Sequence, residues 1–267
     1  MSGSLWKGEG TGNDFILGLG TWAERLAADE ALIRALCDRR RGIGADGVMA
    51  LMPESGGRLR MIYHNGDGSE ARFCANGSRL AALAASHLLE MGASIELETD
   101  WARIPAEVEG EMVRLQLPAP ESETRGMLLS GEAGGIRGDF LRLGVPHFFI
   151  EVSEETLLRG GETVSRAPTL KNRPEFGPEG SNISIIARTA AGELRIRSFE
   201  QGVAEEVLSC GSAMASAGWL YSEAGKAVEI LPRSGDRLRV LRSEGGHPPS
   251  LEGPARLVAR IEDFSPV

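Results

Sequence analysis

Two stretches of this chain are apolar on nearly every helical face, and each directly follows a cysteine. Ser78–Met91 reads S-R-L-A-A-L-A-A-S-H-L-L-E-M, and the stretch Ser212–Ala224 opens S-A-M-A-S-A-G-W-L. A helix that is hydrophobic all round has no face to offer solvent, so it belongs inside a core. Two such helices need two enclosures, and their small residues let a surrounding backbone approach closely. Alternating stretches that can supply the walls read as strands at Leu59–His64, Ser94–Thr99, Met112–Leu117, Asn182–Ala187, Glu193–Phe199 and Arg237–Arg242. The expected fold class is α/β (α+β), with each of the two buried helices wrapped by its own curved β-sheet.

A further helix is expected over Thr21–Asp38, and the charged, Pro-dotted region Glu151–Glu179 reads as a helix with surface loops. Pro118-Ala119-Pro120, followed by a polar stretch to Gly138, marks the domain boundary. The reading is an N-terminal half over 1–118, a C-terminal half over 119–254, and a closing strand at about 255–267 that returns to the first half.

With 267 residues, 42% of them hydrophobic, the chain can build real cores. A formal net charge of −9 argues against nucleic acid, whose phosphates require a basic face. No apolar run is long enough for a membrane helix, and the N-terminus lacks the basic-then-apolar plan of a signal peptide, so cytoplasmic residence is expected. Three scattered cysteines, Cys37, Cys74 and Cys210, form neither a disulfide framework nor the close pairs of a zinc site, and no metal is expected. Cys37 reads as a buried, inert thiol.

The other two cysteines sit in matching surroundings. Leu59–His64 leads to Asn65, a Gly-Asp-Gly turn, Glu70, Cys74 and a buried helix; Glu193–Phe199 leads to Glu200, a turn at Gly202, Glu206, Cys210 and the other buried helix. A helix start carries unpaired N–H groups and a partial positive charge, so both thiols are expected to ionise more easily than free cysteine. Small residues after each cysteine leave N–H groups open to a carboxylate. Two thiols, one per domain, suit inversion of a carbon centre: one removes a proton from one face and the other returns a proton to the opposite face. Donors around the substrate carboxylate must then stabilise the carbanion.

Five motifs now stand in order. Lys7-Gly8-Glu9-Gly10-Thr11-Gly12-Asn13-Asp14-Phe15, Arg41-Gly42-Ile43-Gly44-Ala45-Asp46-Gly47, Asn65 through Arg79, Gly144-Val145-Pro146-His147 and Glu200 through Ser212 together resemble the signature segments of the diaminopimelate epimerases; Gly253-Pro254 through Val258 is similar to that family's closing strand. The resemblance implies two pseudo-symmetric domains with the active site in the cleft between them, an amino-acid substrate and no cofactor. It implies Cys74 and Cys210 as the acid/base pair, with His147 and Glu200 assisting. Asn13, Asn65 and Asn182 would contact substrate, and the amides of Ala75, Asn76, Gly211 and Ser212 would hold its α-carboxylate.

The departures bear on substrate. The family's E-R-G is Glu200-Gln201-Gly202, which replaces a cation that the resemblance places on the distal carboxylate with a neutral amide. Val145 stands where many members carry Asn, and Ala75 and Ala213 each add a methyl to a family glycine. Three functions remain open: diaminopimelate epimerase, a racemase of the same fold acting on another amino acid, and a non-catalytic amino-acid-binding member. Arg142, Arg195 and Arg197 are candidates to replace the missing cation. Gly42 through Gly47 fits a dinucleotide fingerprint by letter but follows a helix and precedes a strand, the wrong order. His64 and His87 read as structural or solvent-facing, and Asp67 and Glu70 as turn and helix-start residues. Oligomeric state is open, a homodimer included.

Overall fold

The computed structural model describes residues 3–131, 135–246, 248–262 and 264. The chain divides into two compact units, one made of Met1–Gln116 with Glu252–Val267 and the other of Leu117–Leu251.

The first unit opens with β1 (Ser4–Gly10) and β2 (Asn13–Leu19), continues through α1 (Thr21–Leu26) and α2 (Glu30–Cys37), and returns as β3 (Gly47–Pro53) and β4 (Arg58–Asn65). A two-residue β5 (Glu70–Ala71), helix α3 (Ala75–Leu88), β6 (Ser94–Glu98), β7 (Arg103–Glu109) and β8 (Met112–Gln116) follow. The second unit contains β9 (Ser122–Leu129), β10 (Ile136–Leu143), β11 (Val145–Glu151), α4 (Glu154–Arg159), α5 (Glu162–Leu170), β12 (Asn182–Arg188), β13 (Leu194–Phe199), α6 (Gly211–Tyr221), β14 (Ala227–Leu231) and β15 (Leu238–Leu241). The chain leaves it through β16 (Ser250–Pro254) and ends in β17 (Arg256–Ile261). Of the expected closing strand, residues 263 and 265–267 lie outside the described residues.

Each unit repeats one pairing pattern. β1–β2 is antiparallel, β2–β3 parallel, β3–β4 antiparallel, β4–β6 parallel and β6–β7 antiparallel. β10–β11, β11–β12, β12–β13, β13–β14 and β14–β15 follow the same sequence of senses. The helix pairs α1–α2 and α4–α5 occupy equivalent crossovers, as do α3 and α6. The two units are thus pseudo-symmetric, and the fold is mixed α/β as the apolar helices required.

α3 packs against β1, β2, β3, β4, β6, β7, β8 and β17, so the sheet surrounds it. Every residue from Ala75 to Ala85 is buried. In α6 everything from Gly211 to Leu220 is buried, against β10, β11, β14 and β15. Small residues permit this: a Cβ on Gly218 would lie 2.3 Å from Val240 Cγ1, and one on Gly10 would lie 2.8 Å from the Asn76 carbonyl oxygen. In the first unit α1 and α2 form a separate core, where Leu26, Ile33 and Leu36 meet Ile16, Val48 and Ala50.

The single helix expected over Thr21–Asp38 is instead two. Asp29 adopts a non-helical backbone and accepts a 2.9 Å hydrogen bond from the Leu32 amide, starting α2 afresh. An N-capping aspartate competes with helix continuation, and here the cap wins. The Glu151–Glu179 region likewise carries two α-helices, separated by Gly160 in the left-handed region, rather than one.

Candidate functional site

In the first unit, β4 ends at Asn65 and the chain turns through Gly66–Ser69. Asp67 holds that turn by accepting from the Ser69 amide and hydroxyl at 2.8 and 2.6 Å, the structural part expected of it. Asn65 is tied into the same turn, accepting from Tyr63 Oη and donating to Ser69 Oγ, each at 3.0 Å. Cys74 then caps α3 from an extended backbone conformation, and its sulfur accepts from the Gly77 amide at 3.4 Å. The thiol also faces Asn13 Oδ1 at 3.8 Å. Asn76, in the first turn of α3, donates to that same oxygen at 3.3 Å.

Asn13 stands at the start of β2 beside a charged cluster. Its Nδ2 donates to Asp46 at 2.6 Å, and Arg39 bridges Asp46 and Asp14 at 2.6 and 2.7 Å. Partial burial works against ionisation of Asp14, but hydrogen bonds from Arg39 and Lys7 prevail and hold its carboxyl down at about 2. Behind this layer Arg79 is wholly buried in α3 and donates to Thr11 Oγ1 and Asn76 Oδ1, each at 3.0 Å. Sequence reasoning alone misses Arg79 and Asp46 as site residues. A lone arginine in an otherwise apolar helix is the available signal for Arg79.

In the second unit, Cys210 caps α6 from a similar extended conformation. Its sulfur lies 3.4 Å from Ser212 Oγ, and that hydroxyl is 2.9 Å from His147 Nε2. His147 sits on β11, in parallel register with Asn182 on β12. The imidazole is fully buried, and its Nδ1 has no partner among the described residues. Burial lowers its pKa to about 3, so it is neutral near neutral pH. Asn182 Oδ1 accepts from the Gln201 amide at 2.8 Å, which fixes the start of the turn after Glu200.

The expectation of an easily ionised thiol fails at Cys210. Burial pushes its pKa well above the ordinary value. The charge of Glu200 and a hydrogen bond to it add to the rise, against opposing bonds from Ser212 and the Ala213 amide. A helix N-terminus contributes a few tenths to about 1 kcal/mol, less than complete desolvation costs a thiolate. Cys74 is only half-buried. Cys37 behaves as expected of an inert thiol, since burial drives it to about 12.

The Glu70–Glu206 echo holds in the backbone, where Ala71 pairs antiparallel with Tyr63 and Val207 with Ser198, but the two side chains meet different surroundings. Glu70 is exposed on β5, whereas Glu206 is drawn in against Arg197 at 2.5 Å and reached by Arg233 at 3.4 Å. The three arginines considered as replacements for the missing cation are each engaged within their own unit: Arg142 with Glu179, Arg195 with Glu154 and Arg197 with Glu206. Arg195 and Arg197 pair across strands with Ala187 and Ile185, so they share the face covered by α4 and α5. Gln201 donates to the Lys171 carbonyl at 2.8 Å and to Asn172 Oδ1 at 3.1 Å. Among the described residues no group of three His, Cys, Asp or Glu side chains could hold a metal ion, and no helix is long and apolar enough to cross a membrane.

In each unit a cysteine stands at the start of a buried helix, with polar side chains against its sulfur. The Cys74 sulfur meets both an acceptor and a donor, so thiol and thiolate are each accommodated.

Comparison with known proteins bears on the family and the fold. Residues 5–116 match the family model described as diaminopimelate epimerase. A diaminopimelate epimerase from Chlorobaculum tepidum is 34% identical over 94% of this chain and 97% of its own length, and one from Hydrogenobaculum sp. is 33% identical over 88% and 90%. Among solved structures, a hydroxyproline epimerase from Agrobacterium vitis with bound trans-4-hydroxy-L-proline has a TM-score of 0.69 at 14% identity, covering 97% of this chain and 91% of that one. A PhzF-family phenazine biosynthesis protein from Bacillus anthracis has a TM-score of 0.71 at 13% identity, covering 99% and 100%. At these identities the solved structures speak for the fold alone.

Proposed function

This chain belongs to the diaminopimelate epimerase family and is an isomerase, and from that premise we propose that it converts LL-diaminopimelate to the meso form with Cys74 and Cys210 as its two proton-transfer groups. One cysteine, as thiolate, takes the proton from the α-carbon. The other, as thiol, gives a proton to the opposite face of the same carbon. Turnover leaves the first as thiol and the second as thiolate, so the reverse reaction begins from that state, and no cofactor is required. The observation that carries this reading is that both cysteines occupy the N-cap position of a buried helix, at equivalent crossovers of a repeated sheet.

Three features support the assignment of roles. Glu200, hydrogen-bonded to Cys210, takes up and returns the Cys210 proton. His147 is neutral at working pH and reaches that thiol through Ser212, so it holds the hydroxyl without contributing charge. In this reading the first-turn amides at Ala75, Asn76, Gly211 and Ser212 bind the α-carboxylate, as helix starts bind anions. Asn13, Asn65 and Asn182 then complete the substrate contacts.

A second reading, inversion of a different amino acid, is favoured by Gln201, which puts a neutral amide where the family resemblance calls for a cation and directs it to Lys171 and Asn172. One experiment separates the two. Reduced protein is incubated in deuterium oxide with LL-diaminopimelate and, separately, with common L-amino acids, and α-deuterium uptake is followed. Exchange with diaminopimelate is expected, and its loss by at least about 100-fold in Cys74→Ser and in Cys210→Ser. Exchange with another amino acid alone would establish the second reading. Full activity in either serine variant would overturn the two-thiol mechanism.

A further inference from the structure

Cys74 is approached by a chain of side-chain amides whose orientation is set from both ends. Arg79 Nη2 donates to Asn76 Oδ1 at 3.0 Å; Asn76 Nδ2 donates to Asn13 Oδ1 at 3.3 Å; Asn13 Nδ2 donates to Asp46 Oδ2 at 2.6 Å. A guanidinium only donates, and a carboxylate only accepts. With a pure donor at one end and a pure acceptor at the other, neither carboxamide can flip without opposing like groups. The oxygen of Asn13 is therefore the atom turned toward the Cys74 sulfur, 3.8 Å away.

We propose that Asp46 and Arg79 are positioning residues whose amide relay presents an acceptor, and never a donor, to the Cys74 thiol. The S–H then has a fixed direction, and the thiol form is favoured against the thiolate. The opposing contact is the Gly77 amide at 3.4 Å, which serves the thiolate. Cys74 thus has a partner suited to each protonation state, as a group that both takes and gives a proton requires. The relay has its own anchors. Arg79 also donates to Thr11 Oγ1 and to the carbonyls of Ala75 and Pro254, and Asp46 is held by Arg39.

This inference rests on the reading of Cys74 as a proton-transfer residue, yet its test does not depend on turnover. Asp46→Asn removes the pure acceptor at nearly constant shape, so Asn13 becomes free to flip and offer N–H to sulfur. In a Cys210→Ser background, the rate of Cys74 carbamidomethylation by iodoacetamide at neutral pH reports the thiolate fraction. A rise of about three- to tenfold in Asp46→Asn is expected, the size of one exchanged hydrogen bond. In the otherwise unchanged enzyme, kcat should fall, and KM should rise because the flipped Asn13 also contacts substrate. An unchanged labelling rate overturns the proposal, whatever happens to kcat. Should Asp46→Asn fail to fold, Asn13→Ala is measured in the same background. It removes the acceptor outright and must also raise the labelling rate, and no rise there overturns the proposal equally. Failure of the two-thiol mechanism is recognised separately, by activity surviving in Cys74→Ser.

Discussion

Acidification from pH 7 to pH 5 is expected to cost this protein about 2 kcal/mol of stability through His147 alone. The imidazole is completely buried and its pKa lies at about 3 in the fold, against about 6.5 for a solvated histidine. A depressed pKa means that below 6.5 the unfolded chain binds a proton the folded protein refuses. The contribution is complete above pH 6.5 and is lost as pH falls toward 3. Each unit of separation is worth about 1.4 kcal/mol, so the whole window spans about 5 kcal/mol, and the fall to pH 5 takes about 2 of it. Urea unfolding at pH 7, 6 and 5 measures the loss. The same series on His147→Gln, whose side chain is neutral throughout, isolates the contribution from every other titrating group. The variant should be less stable at pH 7, yet lose about 2 kcal/mol less on reaching pH 5. Parallel stability curves for the two proteins would refute a neutral, desolvated His147, and with it the role of that imidazole in holding the Ser212 hydroxyl.

Ser212→Ala removes the hydroxyl between His147 and Cys210 and leaves a buried imidazole nitrogen unpaired, so unfolding free energy should fall by about 1–3 kcal/mol; a change below about 0.5 would show that nitrogen has another partner. Gly218→Ala places a methyl 2.3 Å from Val240 Cγ1 and should destabilise by about 1–3 kcal/mol, read as a lowered thermal midpoint; an unchanged midpoint would mean α6 is packed less closely than described. Iodoacetamide should label the half-buried Cys74 first, with the buried Cys210 and Cys37 following slowly. Peptide mapping that finds Cys210 labelled before Cys74 would mean that burial does not control thiol reactivity in this fold.

What the sequence determined by itself is everything carried by neighbours along the chain. Apolar runs after Cys74 and Cys210 announced buried helices because a residue's periodicity is local, and α3 and α6 lie where those runs do, three residues and one residue earlier at their starts. Strand alternation located β4, β6, β8, β12, β13 and β15 to within a residue or so for the same reason. The ordered motifs identified the family before any fold was drawn. Local reading also had a local failure, at Asp29, where a side-chain cap outweighed helix continuation. Only the tertiary structure decided how residues distant in sequence confront one another. Arg79, Asn76, Asn13 and Asp46 form one directed relay although Asn13 and Asn76 stand 63 positions apart. Arg142, Arg195 and Arg197 looked available as cations until folding brought Glu179, Glu154 and Glu206 to them. The thiol of Cys210 has the helix start that sequence foretold, yet its pKa moves upward. Helix position is a property of the chain's order, whereas desolvation and hydrogen-bond partners come from whatever the fold packs around a group, and at this sulfur they are the stronger effects.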